Sequence, residues 1–391
     1  MKKIAAFLTA SAVTLLVIAV FLANLSPNLN TNNRKFNYWY SSFKDNSYNA
    51  ISQNLHKSTM PVFGSSEIGH GAKLSYGPQR LLERTNTDIM TIGCAYNQCL
   101  NHSIVLGSVG RQLKGKKVVL ILSPSWFYQG GLSGARYEMR FSETEYSAFM
   151  RNPDLPADVK EYVARRSRHL LKKNDTLRRH AALYNRINGV GGKKATGFDR
   201  ISYRILNAYT TDRDYLTMRI LMKKKGIRFL DQYQGPADTL KHINWEKWKQ
   251  KAVSASPAVN NPYYMAPKAW KKFSHIEEKA RGLHRDSSYE VSPEYEDLEC
   301  FLKVCKAEGI QPLLILQPVN GYWFDYTGLP EIRRDVLRYK IDNIASRYQV
   351  QVADLSDESY TKNFFEDAVH PYKLGWVTIN EQIYKFYNKS N

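Results

Sequence analysis

The sequence predicts an α/β protein: a parallel sheet of about five strands with helices on both faces, a large helical insertion, and one N-terminal transmembrane helix. Three observations carry this. Short apolar runs at 60–64, 88–93, 116–123, 312–316 and 350–355 alternate with helix-like stretches, as in parallel strands joined by crossover helices. The stretch 143–288 holds no comparable run and reads as helical. Residues 4–25 carry no charge, and at about 1.5 Å per residue a helix of that length spans roughly 30 Å, a bilayer core.

The 391 residues suit one large domain with an insertion. Hydrophobic content of 43% and aromatic content of 13% exclude a disordered chain. The formal net charge of +20 implies a polyanionic partner or surface. Lys2 and Lys3 precede the apolar run, so the N-terminus is expected in the cytoplasm and the bulk outside, a single-pass protein of the cell membrane. A cleaved signal peptide has an apolar region of only about 7–15 residues ending at a small-x-small site. The run here is longer and no Ala-x-Ala follows, which favours an uncleaved anchor. An outside location argues against nucleic acid. A phosphate-rich envelope polymer or an anionic membrane then matches the charge. The expected organisation is an anchor over 1–25, a polar Asn-rich spacer over 26–45, and an extracytoplasmic α/β domain over 46–391 with its insertion at about 143–288.

Taken in order, 38–57 is aromatic and mixed. The first strand ends in Phe63-Gly64-Ser65-Ser66-Glu67. The second ends at Gly93, with a helix expected over 97–107. The third, Lys116 to Ser123, is nearly continuous in apolar residues, as strands covered on both faces are. In the insertion, 156–185 is basic and helix-like, 188–194 is a glycine-rich loop, and 211–225 is a helix stopped by Gly226. Ser292-Pro293-Glu294 supplies an N-cap, a proline at N1 and an acid in the first turn of the next helix. The fourth strand runs into Gln317-Pro318-Val319-Asn320-Gly321-Tyr322-Trp323-Phe324. A helix over 332–348, the fifth strand, the loop Asp367-Ala368-Val369-His370-Pro371 and a C-terminal helix complete the chain.

In parallel sheets the working loops lie beyond the carboxyl ends of the strands. Ser66, the Gly93 loop, Ser125-Trp126-Phe127, Asn320-Gly321 and the 363–371 loop all follow strand ends and should share one rim. Gly-Ser-Ser by itself marks a strand-to-helix turn, and Asp-x-x-His by itself a loop. Together they supply a hydroxyl, a base and a carboxylate that orients the base. His370 alone among the histidines has an acid at short spacing and a place on the rim. His56, His70 and His102 lie elsewhere in the α/β part, and His169, His180, His242, His275 and His284 lie in the insertion. The order Ser…Asp…His matches the SGNH hydrolase type. It does not match the Gly-x-Ser-x-Gly elbow, because position 68 is Ile68.

The chain resembles the DltD family of D-alanyl–lipoteichoic acid biosynthesis proteins. The resemblance rests on the N-terminal apolar segment, Phe63–Glu67, the block Gln317 to Leu329 containing Pro-Val-Asn-Gly and Asp-Tyr-Thr-Gly, and Asp367-Ala368-Val369-His370-Pro371. It implies an SGNH/flavodoxin-like fold, a membrane anchor, and a part in placing D-alanine esters on teichoic acids. Its implied partners are the teichoic acid polymer, the D-alanyl carrier protein, a membrane acyltransferase of the same pathway, and the membrane. By position, Ser66 becomes the nucleophile, with Ser65 as the alternative, His370 the base and Asp367 its orienter. Gly93, Asn97 and Gln98 become candidate oxyanion donors. Ser65, Glu67, Trp126, Asn320, Tyr322 and Trp323 become candidate pocket residues, with Asn320 also open as an oxyanion donor. Three functions follow: acyl transfer or thioester hydrolysis through an acyl-serine, a non-catalytic tethered scaffold, or O-acetyl transfer or esterase action on another envelope polysaccharide. No cofactor or metal is called for. Cys94, Cys99, Cys300 and Cys305 show no zinc spacing and are expected reduced and buried.

Overall fold

The structure, a computed structural model, describes residues 2–24, 28–192, 194–240 and 243–389, with the side chains of 16–24 left out. His242 therefore lies outside the described residues, as does part of the expected anchor. Helix α1 is Lys2–Asn24. Among the described residues, no helix is long and apolar enough to cross a membrane.

Residues 26–45 are expected as a polar spacer above the membrane; the described part of that stretch, 28–45, packs onto the body. Thr31, Phe36, Asn37, Lys44 and Asp45 are buried. The polar composition that suggested a spacer is used internally: Asn54 accepts the Thr31 N–H at 2.9 Å and donates to Leu29 O at 2.8 Å. Helix α2, Tyr48–Asn54, follows, capped by Ser47.

All five expected strands form: β1 Met60–Phe63, β2 Ile89–Ile92, β3 Lys117–Leu122, β4 Gln311–Leu316 and β5 Gln351–Asp354. They make one parallel sheet in the order β2-β1-β3-β4-β5. The reversal of direction falls at β1 and β3, and it puts a crevice at their carboxyl ends. Side chains alternate across the sheet. Val118, Leu120, Leu122, Leu314 and Leu316 enter one core, and Val119, Ile121, Leu313 and Ile315 enter the other. Both faces are therefore covered, which is why these strands are apolar at nearly every position.

Helix α3, Ser66–Gly71, follows β1, and α4, Cys99–Leu113, follows β2. The insertion is helical as expected, with different boundaries. The basic stretch splits into α6, Ala157–Leu170, and α7, Asp175–Ile187, after α5, Glu143–Arg151. The break falls where Asn174 accepts the Leu177 N–H and starts a new helix. Helix α8 begins at Gly197 rather than near 211 and runs to Lys225. Its start is a reciprocal cap: Thr196 Oγ1 accepts the Asp199 N–H at 3.1 Å, and Asp199 accepts the Thr196 N–H at 2.9 Å. Helix α9 is Trp245–Ser254. Helix α10, Pro293–Ala307, starts as expected, with Ser292 Oγ accepting the Glu294 N–H. Buried Glu294 accepts the Cys99 N–H at 2.7 Å and so ties α10 to the first turn of α4. Helix α11 is Gly321–Tyr326, α12 Glu331–Tyr348 and α13 Lys373–Asn388.

Candidate active site

The segment that carries Ser66 is shaped by crowding. A Cβ on Gly64 would lie 2.4 Å from Glu67 Oε1 and 2.9 Å from Ile68 Cγ1, and one on Gly93 would lie 2.2 Å from Gly64 O. The ends of β1 and β2 can close together only if both positions are glycine. The chain then turns at Ser65, and Ser66 is the first residue of α3.

The second half of the site is the 364–372 loop. A bridge between Phe365 and Pro371 closes it, with the Glu366 N–H donating to His370 O at 2.8 Å and the Tyr372 N–H to Phe364 O at 2.7 Å. Within it, Asp367 Oδ1 accepts the N–H groups of Val369 and His370 at 2.9 Å each. Outside support comes from the loop after β4 and from the insertion. The Asn320 N–H donates to Ala368 O at 2.9 Å, and the Ala266 N–H to Glu366 O at 3.0 Å.

These two halves meet. His370 Nε2 lies 2.8 Å from Ser66 Oγ, and His370 Nδ1 lies 2.8 Å from Asp367 Oδ2. An ionised carboxylate only accepts, so Nδ1 carries the proton and Nε2 is left to accept the Ser66 O–H. Burial works to lower the His370 pKa, but the hydrogen bond and charge of Asp367, helped by Glu67 and Glu366, raise it above the usual histidine value. For Asp367, burial works upward, and the His370 ring and the two loop N–H groups overcome it and hold its carboxyl below the usual range. The site thus holds an ionised carboxylate beside an imidazole whose protonated form is stabilised.

Two flanking groups were not singled out as catalytic from sequence. His70, one turn along α3 from Ser66, stacks on the His370 ring with centroids 3.8 Å apart and planes 6° apart. Its Nδ1 lies 2.7 Å from Glu366 Oε2. The i, i+4 spacing from Ser66 was a readable signal, whereas the stacking depends on the distant 364–372 loop. Glu67, a pocket candidate, is buried beneath the turn and accepts the Ser65 N–H. Its burial raises its pKa.

The other named residues fall into place around this set. Ser65 Oγ donates to Cys94 O at 3.3 Å, so Ser66 is the serine that meets His370 Nε2. Gly93, an expected oxyanion donor, gives its N–H to buried Asp45 at 3.0 Å instead. Asn97 is buried on the same loop, its N–H bonded to Cys94 O, and its side-chain Oδ1 has no partner among the described residues. Gln98 is buried at the head of α4, where its N–H reaches Asn101 Oδ1 at 3.3 Å. Trp126 is buried with its ring 6.2 Å from that of His102. Asn320 is fully used as a strut: Oδ1 caps α11 through the Trp323 N–H, and Nδ2 donates to Tyr263 O at 2.8 Å. Tyr322 donates to Tyr360 O, and Trp323 is buried against Tyr263 and Phe273. All four cysteines are buried and unpaired. Ligand atoms of His70, Asp367 and His370 lie within 4.8 Å of one another, and an ion there would compete with the Ser66–His370 bond.

A sequence model of the DltD protein family matches residues 33–388 of the chain. Among curated proteins, "Protein DltD" of Staphylococcus aureus is 27% identical over 332 residues, covering 83% of this chain and 80% of that protein. "Protein DltD" of Bacillus subtilis is 27% identical over 338 residues, covering 84% and 82%. That of Lacticaseibacillus rhamnosus is 23% identical over 332 residues, covering 84% and 77%.

Proposed function

The chain belongs to the DltD family, and from that premise we propose that it is an SGNH-like serine acyltransferase or thioesterase of teichoic acid D-alanylation. Membership in the family implies a role in that pathway. The observation that carries the chemical part is the continuous set Ser66 Oγ, His370 Nε2, His370 Nδ1, Asp367, joined by contacts of 2.8 Å. A scaffold without chemistry has no need of a serine hydroxyl held on a histidine.

In the proposed reaction Ser66 Oγ attacks the carbonyl carbon of a D-alanyl ester or thioester, and its proton passes to His370 Nε2. The imidazolium, held by Asp367, gives that proton to the departing alcohol or thiol. D-alanyl-Ser66 remains. A teichoic acid hydroxyl, or water, then gives its proton to His370 and attacks the acyl-serine, and Ser66 leaves with a proton from His370. The side-chain amide of Asn97 is the candidate donor to the oxyanion.

The remaining parts of the reading concern place and partners. The exposed apolar side chains Ile4, Phe7, Leu8, Val13 and Leu15 of α1, preceded by Lys2 and Lys3, suit a single-pass anchor with the N-terminus in the cytoplasm and the bulk outside. The net charge of +20 suits a phosphate-rich polymer. So does a cleft of about 430 Å³ between α6 and α7, lined by Arg165, Arg168, Arg178, Arg179 and Arg186. The D-alanyl donors are the carrier protein and membrane acyltransferase of the pathway.

The test is to treat the purified full chain with a serine-reactive fluorophosphonate and map the adduct. Modification of Ser66, slowed while a D-alanyl thioester is present in excess, is the expected result. An unmodified Ser66 in folded protein overturns the catalytic reading.

A further inference from the structure

Helix α8 has 29 residues and two apolar faces. Its inner face is accounted for: Met218 and Met222 are fully buried, and Tyr203, Leu206 and Tyr215 pack against the same core. Its outer face is not. Phe198, Ile201, Ile205, Tyr209, Leu216 and Ile220 are all exposed, Phe198 at 78% and Ile205 at 67%. At 100° per residue these six fall within an arc of about 100° and form one stripe roughly 33 Å long. Asp212 lies within the stripe, and Ser202 and Arg219 lie at its edges. An amphipathic helix needs one apolar face for its core, and a second, solvent-facing one marks an interaction surface.

Three further observations say what covers it. First, both ends are basic. Arg219, Lys223, Lys224 and Lys225 are exposed at the C-terminal end. At the other end the Arg186–Asp199 ion pair, 2.7 Å, fixes the arginine-lined cleft beside the first turn. Apolar stripe and cationic ends together fit anionic lipid, where acyl chains take the one and headgroup phosphates the other. Second, the chain leaving α8 pairs with residues 31–33, a few residues after α1 in sequence. Leu230 donates its N–H to Thr31 O and Gln234 to Asn32 O, both at 2.9 Å, and Asn32 and Asn33 side chains donate to Leu230 O and Arg228 O. Third, the tether is short. Asn24, the last residue of α1, is seven residues from Thr31, at most about 25 Å of chain. A membrane entered by α1 therefore lies within reach of the C-terminal end of α8.

We propose that α8 lies on the outer surface of the membrane, with its Phe198–Ile220 stripe among the lipid acyl chains and its basic ends on anionic headgroups. The domain then has two fixed points on the bilayer, the anchor and this helix, which together set its orientation. The proposal rests on the anchor reading of α1, and the test separates the two.

The experiment places a single nitroxide spin label on the full chain in phosphatidylglycerol vesicles. The four native cysteines are buried and leave an introduced surface cysteine as the reactive one. Ile205→Cys and Leu216→Cys report the stripe, Val13→Cys reports the anchor, and Lys362→Cys is the aqueous control. Power saturation with oxygen and with a water-soluble nickel chelate reads depth. The expected result is that labels at 13, 205 and 216 favour oxygen over nickel, that the label at 362 favours nickel, and that phosphatidylcholine vesicles weaken the effect at 205 and 216 but not at 13. Labels at 205 and 216 as nickel-accessible as 362, with 13 still in lipid, overturn the proposal and leave the anchor standing. Label 13 in water overturns the anchor. Dipolar broadening between labels at 205 assigns the stripe to a second copy of the chain and also overturns the proposal.

Discussion

Replacing Asp367 with Asn changes the hydrogen-bond character of one atom, and the surroundings decide which. Oδ1 accepts the N–H groups of Val369 and His370 at 2.9 Å. If the amide NH2 took that position, both bonds would be lost, each leaving a part-buried N–H unsatisfied at a cost of about 1–3 kcal/mol. The amide oxygen therefore stays there, and the NH2 falls where Oδ2 was, 2.8 Å from His370 Nδ1. Nδ1 also lies 3.0 Å from Oδ1, but that oxygen already accepts two N–H groups, so the nearer NH2 governs: Nδ1 accepts and the ring proton moves to Nε2. Ser66 Oγ, 2.8 Å away, now faces a donor and has nowhere to send its proton. The geometry survives while the base is disabled. The expected loss in kcat is on the order of 10³–10⁴, about 4–5 kcal/mol of barrier. Asp367→Ala leaves the ring free to choose its tautomer, so it should lose less activity than Asn and more stability, because both loop N–H groups lose their acceptor. The pH profile adds a sign. Asp367 raises the His370 pKa, and His370 must be neutral to act as base. Removing the carboxylate should shift the acid limb of residual activity to lower pH. Steady-state release of D-alanine from a synthetic thioester, with urea unfolding alongside, measures all three. An Asn variant within tenfold of the unaltered protein, with an unmoved acid limb, would refute the tautomer argument.

Ser66→Ala and His370→Ala should each remove nearly all turnover, and the double variant should be little worse, since the two act as one unit; single losses that sum in the double would show independent roles. Gly93→Ala puts a Cβ 2.2 Å from Gly64 O, a contact only backbone movement relieves. It should destabilise by about 3 kcal/mol and lower Tm, and an unchanged midpoint would show that β1 and β2 part easily beneath Ser65. Burial holds the His102 pKa down at about 3. As pH falls below about 6.5 the unfolded chain takes up a proton that the native ring refuses, which costs stability at about 1.4 kcal/mol per pH unit until the folded pKa is reached. His102→Phe, set between Phe63 and Trp126, should flatten that part of the urea-midpoint profile relative to the unaltered protein, and parallel profiles would place the acid sensitivity elsewhere.

How much of this was readable differs by element. The five strands were legible because both faces are covered, so apolar residues run uninterrupted and stand out from a polar chain. The Ser66, Asp367 and His370 set was legible because each follows a strand end, and topology brings such ends to one rim. The His70–His370 stack was not, because it depends on the height at which one loop crosses one short helix. The use of the Gly93 N–H was hidden for the same reason: its acceptor, Asp45, comes from a stretch whose polar composition resembled a linker. Helix α8 was half seen. A sequence apolar on two opposite faces has no clear period, and only its C-terminal part, stopped by Gly226, declared itself.

The support of the 364–372 loop has a consequence for the architecture. The loop that carries His370 is braced from within the insertion, by the Ala266 N–H on Glu366 O and, through Asn320, by Tyr263 O. The residues between β3 and β4 are thus a buttress for His370 as well as an outgrowth of the sheet. A minimal protein cut back to the five strands and their crossover helices would retain Ser66, His370 and Asp367 in its sequence. It would lose the brace that holds two of them opposite the third.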